Sequence, residues 1–312
     1  MKTMREAFGL VLVELAKKRD DFVVLDADVA GGTGVSIFRD KFPKRYIQCG
    51  IAEQNMVSLA AGLTSAGLIP IVTAYAIFLS MRAIEQIRNS VAYPNFNVKI
   101  VASHLGLDVG PDGPTHQAIE DLAILRAIPN MKVVAPADPF ELKKVMEVIL
   151  ENYGPIYVRT GRSPIPEIFN DNIEFELGKA KVIRDGSDVS IIAVGVMVHR
   201  ALEAAEILST KNISAQVINV STIKPIDKNL IIESAKKTKC IVTAEDHNIF
   251  GGLFGAISEV LAVNYPTYIE PVALNDQFAE SGDPIELSKK YHLDSISIAD
   301  AAQKVLKKRL GL

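Results

Sequence analysis

Between residues 22 and 158, short unbroken apolar runs alternate with longer segments of helical period. Residues 22–25, 69–72, 98–101 and 133–134, then Ile156, Tyr157 and Val158, are the runs expected of strands covered on both faces. Met4–Ala16 and the segments after Glu53, after Leu79 and from Asp138 space their apolar residues for helices instead. The last start is explicit: Asp138 can cap, Pro139 sits where a missing N–H does no harm, and Glu141 falls in the first turn. Such alternation with short connections implies a parallel sheet with helices on both faces.

Residues 163–172 are rich in Pro and Asn, lose periodicity and read as a linker. The alternation then resumes, with strands expected at 189–194, 215–220, 240–243 and 268–273 and a basic amphipathic helix near 300–308. The expectation is an α/β protein of two three-layer domains, a larger one at 1–165 and a smaller one at 179–312, joined by a linker at 166–178. A length of 312 residues suits two cores of ordinary size. A net charge of −3 with interspersed charges argues for neither nucleic acid nor an anionic membrane as partner. Lys2, Arg5 and Glu6 interrupt the first residues, so no signal-peptide core is read there, and no apolar run is long enough to span a bilayer. Cys49 and Cys240 lie far apart, without disulfide-framework or metal-ligand spacing. A cytoplasmic location is expected.

In open parallel sheets, ligands gather beyond the carboxyl ends of the strands. That rule singles out Asp26, Asp28, residues 73–78, Ser103, His104 and Arg159, so the first domain is expected to hold the chemistry. Residues 103–120 form a long loop with three Gly, two Pro and two of the five histidines, His104 and His116. Imidazoles can donate and accept protons near neutral pH. Tyr75 and Phe78 follow a strand and suit either core packing or a flat wall for an aromatic ligand. Arg159 and Arg162 flank Gly161 and suit either a phosphate or an ordinary surface. The run Gly31-Gly32-Thr33-Gly34 lacks the Lys of a P-loop. Glu245-Asp246-His247, before Gly251-Gly252, forms a comparable loop and reads as the structural start of a helix. Glu53 falls in the first turn of a helix, where its charge alone is worth a few tenths to about 1 kcal/mol.

Four motifs in order carry a family resemblance: Gly50-Ile51-Ala52-Glu53-Gln54-Asn55-Met56, Tyr75-Ala76-Ile77-Phe78, Asp112-Gly113-Pro114-Thr115-His116-Gln117, and Glu245-Asp246-His247 followed by Gly251-Gly252. Over essentially its whole length the chain resembles the C-terminal section of a transketolase of the split, two-chain kind. The resemblance implies a pyrimidine-binding domain followed by the smaller transketolase C-terminal domain, with thiamin diphosphate and Mg2+ as cofactors. Glu53 matches the glutamate on N1′ of the aminopyrimidine, Phe78 the ring stacked upon it, and Tyr75 and Asp28 its neighbours, Asp28 near the thiazolium. A carboxylate that protonates N1′ favours the imino tautomer, which activates the thiazolium to attack a ketose and carry its two-carbon unit to an aldose phosphate. His104 and His116 match the histidines that handle sugar protons, Asp112 the acid beside the 2-hydroxyl, and Arg5 and Arg159 the arginines that hold the sugar phosphate.

Three departures qualify the match. A phosphate-contacting serine after the aspartate matched by Asp28 is replaced here by the Gly31 to Gly34 run. Residues 79–83 read more like the deoxyxylulose-phosphate synthase pattern. The family's metal motif, Gly-Asp-Gly with a later Asn, is missing: the only Asp-Gly steps, at Asp112 and Asp185, lack the preceding Gly. By the resemblance no residue of this chain holds the metal. An N-terminal-section partner then supplies it, in a heterotetramer of two of each chain. The β chain of a 2-oxo-acid dehydrogenase and a non-catalytic partner subunit are the other readings.

Overall fold

A computed structural model describes residues 3–311. The first sheet has seven strands: β1 (Phe22–Asp26), β2 (Tyr46–Gln48), β3 (Ile69–Tyr75), β4 (Lys99–Ser103), β5 (Lys132–Val134), β6 (Ile156–Thr160) and, from much later in the chain, β10 (Thr222–Lys224). The second has five: β7 (Lys181–Arg184), β8 (Val189–Ala193), β9 (Ala215–Asn219), β11 (Cys240–Asn248) and β12 (Tyr268–Leu274). Their orders are β10-β5-β6-β4-β3-β1-β2 and β12-β11-β8-β9-β7. All pairings are parallel except β10 on β5 and β7 on β9.

The unbroken apolar runs follow from burial on both faces. Every residue of β1, β4 and β6 is buried, and neighbours on one strand enter different cores. Val24 packs with Phe8, Leu12 and Met146, whereas Leu25 packs with Met56, Val57 and Leu79. The second of these cores continues without a break to Ile192, Ile218 and Ile241 of the second sheet. Asp138 caps its helix as expected, one carboxylate oxygen accepting from the Glu141 N–H at 2.8 Å, a contact worth about 1 kcal/mol. Its other oxygen accepts from the Ile168 and Phe169 N–H groups. The helix cap thereby also fixes the linker, where 166–178 contains neither helix nor strand.

Several details differ from the sequence expectation. The second domain lends β10 to the first domain's sheet, which a three-residue strand is too short to announce. β11 extends to Asn248, so Glu245, Asp246 and His247 end a strand rather than lie in a loop. Glu245 still starts a helix, because its carboxylate accepts from the Leu253 and Phe254 N–H groups of Leu253–Asn264. After Phe78 the chain forms two π-helical turns, Phe78–Arg82 and Ile87–Ala92, around a short α-helix at Ile84–Gln86. Among the described residues no helix is long and apolar enough to cross a membrane.

Candidate active site

Parallel pairing of β3 with β4 sets Tyr75 opposite Ser103 at the carboxyl end of the sheet. The ring of His104, the next residue, therefore stacks on Tyr75 with centroids 3.9 Å apart. Phe78 stands 6.0 Å from Tyr75 and 5.3 Å from His116, which meets it edge-on. One π-turn on, the Arg82 guanidinium lies over the Phe78 ring at 4.5 Å. Its Nη1 donates to both oxygens of Glu53, at 3.1 and 2.9 Å. Glu53 is the first residue of the helix Glu53–Thr64 and only 2% exposed. Glu53, Arg82, Phe78, His116, Tyr75 and His104 thus form one continuous wall.

The charged groups gather at the histidine end. Asp112 pairs with Arg162 at 3.1 Å, and the same arginine nitrogen donates to the Val109 carbonyl at 2.6 Å. Burial lowers the His104 imidazole to about 4, Arg162 adding in the same direction and Asp112 opposing it. Its Nδ1 lies 2.8 Å from the Ser103 hydroxyl, which fixes the ring's orientation. His104 is therefore a neutral hydrogen-bonding group at pH 7 rather than a cation. In an NMR titration its ring resonances are expected to stay constant from pH 8 to 5 and to shift only near 4; a midpoint above 6 would refute the desolvation argument. Burial, then Asp112, likewise pushes the Tyr75 hydroxyl up.

Arg5 lies close enough for its charge to act on both Tyr75 and His104. The Gly31 to Gly34 run packs against it: a Cβ on Gly34 would come 1.9 Å from the Arg5 carbonyl oxygen, and one on Gly32 would come 2.3 Å from the Tyr75 hydroxyl. Close packing thus accounts for those two glycines without a phosphate. Asp28 is exposed, with φ of 65°, and its bonds go to the Gln48 side chain, which also accepts from the Gly50 N–H on the way to Glu53. Asp28 thus flanks the Glu53 approach instead of joining the aromatic wall.

Arg159 requires a correction. It is 2% exposed and its guanidinium is already engaged, with Nε on Asp121 at 2.7 Å and Nη2 on the Ala118 and Asp246 carbonyls at 2.9 Å. A side chain so held is a brace rather than a phosphate ligand, and Arg162 is the arginine that reaches the histidine cluster. Sequence reasoning also missed Arg82. The available signal was its spacing of four residues after an aromatic at the start of a helical turn.

Comparison with known proteins identifies the family. The transketolase pyrimidine-binding domain model matches residues 1–167, and the transketolase C-terminal domain model matches residues 178–298. The chain belongs to the transketolase family. A Methanocaldococcus jannaschii protein provisionally described as a transketolase C-terminal section is 48% identical, over 98% of this chain and 97% of its own length. The 6-deoxy-6-sulfo-D-fructose transketolase subunit of a Clostridium species is 40% identical, over 98% and 95%. A solved split-gene transketolase, described as an inactive beta4 tetramer, superposes with a TM-score of 0.93 at 45% identity, over 98% of this chain and 99% of its own. Human transketolase is 37% identical over 97% of this chain, which spans 49% of that protein.

Transketolase-family members use thiamin diphosphate, and the Glu53 end of the wall fits one part of it. The Arg82 guanidinium, a flat nitrogen-bearing group, already rests one nitrogen on Glu53 and lies over Phe78. A flat aminopyrimidine would find the same two partners, a carboxylate and a ring face, in place of Arg82. Among the described residues no group of three or more His, Cys, Asp or Glu gathers to hold a metal.

Proposed function

We propose that this chain is the C-terminal subunit of a split transketolase, moving a two-carbon ketol unit from a ketose phosphate to an aldose phosphate with an N-terminal-section partner. The observation that carries this reading is the unbroken path from the buried Glu53 carboxylate past Phe78 to the neutral His104 and the Asp112–Arg162 pair. Bound thiamin diphosphate would supply the ring that accepts and stabilises the two-carbon unit. Glu53 holds the proton at the pyrimidine nitrogen, and Phe78 fixes the plane of that ring. Tyr75 pins His104, which with His116 exchanges hydrogen bonds and protons with sugar hydroxyls. Asp112 orients a hydroxyl, while Arg162 and Arg5 face the phosphate. The partner holds the metal and the diphosphate, in a tetramer of two chains of each kind.

The sugar is a separate question, since relatives are described as acting on 6-deoxy-6-sulfo-D-fructose and on apulose 4-phosphate. A coupled assay of the chain with an N-terminal-section partner, run across ketose and aldose phosphates and a sulfosugar, decides it. Turnover with none of them would refute the reading.

The two arginines give a sharper check. Arg162→Ala is expected to raise KM for the phosphorylated acceptor about 10- to 100-fold, the loss of a charge-assisted hydrogen bond of about 1.5–3 kcal/mol, with little change for an unphosphorylated analogue. Arg159→Ala is expected instead to lower stability by about 3–5 kcal/mol, because it strands the buried Asp121 carboxylate. Melting curves beside the KM values separate the two outcomes.

A further inference from the structure

We propose that Asp246 is a positioning residue through which the second domain sets the loop carrying His104, Asp112 and His116; the catalytic meaning of this rests on the function proposed above. Asp246 lies near the end of β11, is 2% exposed and belongs to neither the aromatic wall nor the Asp112–Arg162 pair. Its Oδ1 accepts from the Leu107 N–H at 2.9 Å and its Oδ2 from the Asp108 N–H at 3.3 Å. Two successive main-chain donors aimed at one carboxylate form an anion nest, here filled from the other domain.

The fit is close on the loop side too. Gly106 has φ of 42°, and a Cβ there would lie 2.3 to 2.5 Å from the Asp246 carboxylate atoms. From the turn so fixed, contacts lead to the site. Asp108 accepts from the Arg162 and Ser163 N–H groups, and Arg162 reaches Val109 and Asp112. The carbonyl of Asp246 meanwhile receives Arg159, whose same nitrogen holds Ala118 at the far end of the loop. Neighbouring residues of the second domain add the Asn248 N–H on the Ile119 carbonyl at 2.8 Å and the Glu280 carbonyl under the Gln117 amide at 3.0 Å. Both ends of the loop are therefore referenced to the second domain, and Asp246 is the side chain that does so at the His104 end.

The carboxylate is the chemically required group. Asparagine has the same shape but one acceptor oxygen, so its NH2 must face an N–H and one of the two amides loses its partner. In Asp246→Asn, hydrogen exchange of the free chain is expected to quicken at the Leu107 and Asp108 amides at least tenfold, while the Ile191 and Ile192 amides of β8 keep their protection. In the two-chain enzyme the same variant is expected to raise KM for the sugar phosphates at least tenfold, with kcat less affected and thiamin diphosphate affinity within twofold. A purely structural role predicts loss of cofactor affinity and uniform loss of protection instead, and that result overturns the proposal. So does native exchange at Leu107 and Asp108 with unchanged KM. Should D246N not fold, Gly106→Ala perturbs the same contact from the loop and is read by the same measurements; unchanged KM and exchange there overturn it equally. Because exchange needs no turnover, an inactive native enzyme counts against the proposed function and leaves the loop coupling to be judged by exchange.

Discussion

Glu53→Gln, in the chain assembled with its partner, is expected to lower turnover by about 10²- to 10⁴-fold, the range for losing a positioned acid–base group, while the fold persists. Gln keeps the length and planarity of the side chain, so packing of the helix Glu53–Thr64 on the sheet through Val57 and Ala60 is untouched. What changes is the proton. The carboxylate is 2% exposed, so no water stands in for it, and an amide can neither give nor take a proton at the pyrimidine nitrogen. Arg82, which now satisfies both carboxylate oxygens, would meet an NH2 on one side, and that penalty falls on the free chain. Cofactor binding measured by calorimetry is therefore expected to change far less than kcat. Near-normal turnover in Glu53→Gln would remove this residue from the mechanism.

The parallel sheets were legible because burial on both faces leaves so plain a trace. Runs such as Phe22–Asp26 and Ile156–Thr160 need no alternation when every position is covered. The same property hid Arg159. In a strand buried throughout, the chain Ile-Tyr-Val-Arg-Thr does not say whether the arginine emerges into a cleft or is held beneath it, and here Asp121, distant in sequence, holds it. The order of strands was also out of reach. Tyr75 meets His104 because β3 and β4 are neighbours, yet β1 and β2 are adjacent on the other side and nothing local distinguishes the arrangements. Glu53, Phe78, His104 and His116 stood out through motif and loop composition. Arg82 did not, and Asp246 stood in a motif that gave no sign of its role, since both act through contacts with residues distant in sequence. β10 was invisible for the related reason that three residues carry no period.

The largest effect is expected from the partner. The chain alone is predicted to bind thiamin diphosphate weakly and turn over no sugar, and addition of an N-terminal-section subunit with Mg2+ should raise activity from background and tighten binding by orders of magnitude. In the proposed site, Glu53 and Phe78 serve the pyrimidine ring, through one carboxylate and one aromatic face. Stacking of about 1 kcal/mol and a charge-assisted hydrogen bond of about 1.5–3 kcal/mol together do not exceed the cost of immobilising a ligand, about 4 kcal/mol or more. By the resemblance the diphosphate is held through a metal, and the Gly-Asp-Gly and Asn motif expected to hold that metal is absent from the sequence. The segments that carry Glu53 and Arg82 also leave Ile51 at 74%, Leu59 at 39% and Met81 at 42% exposed, an apolar rim suited to burial by another chain. The similar split-gene protein is described as an inactive beta4 tetramer. Calorimetry with thiamin diphosphate and Mg2+, on the chain alone and with partner, measures the difference. Tight magnesium-dependent binding and turnover by the chain alone would show that it contains a complete site, and the split-subunit reading would fail.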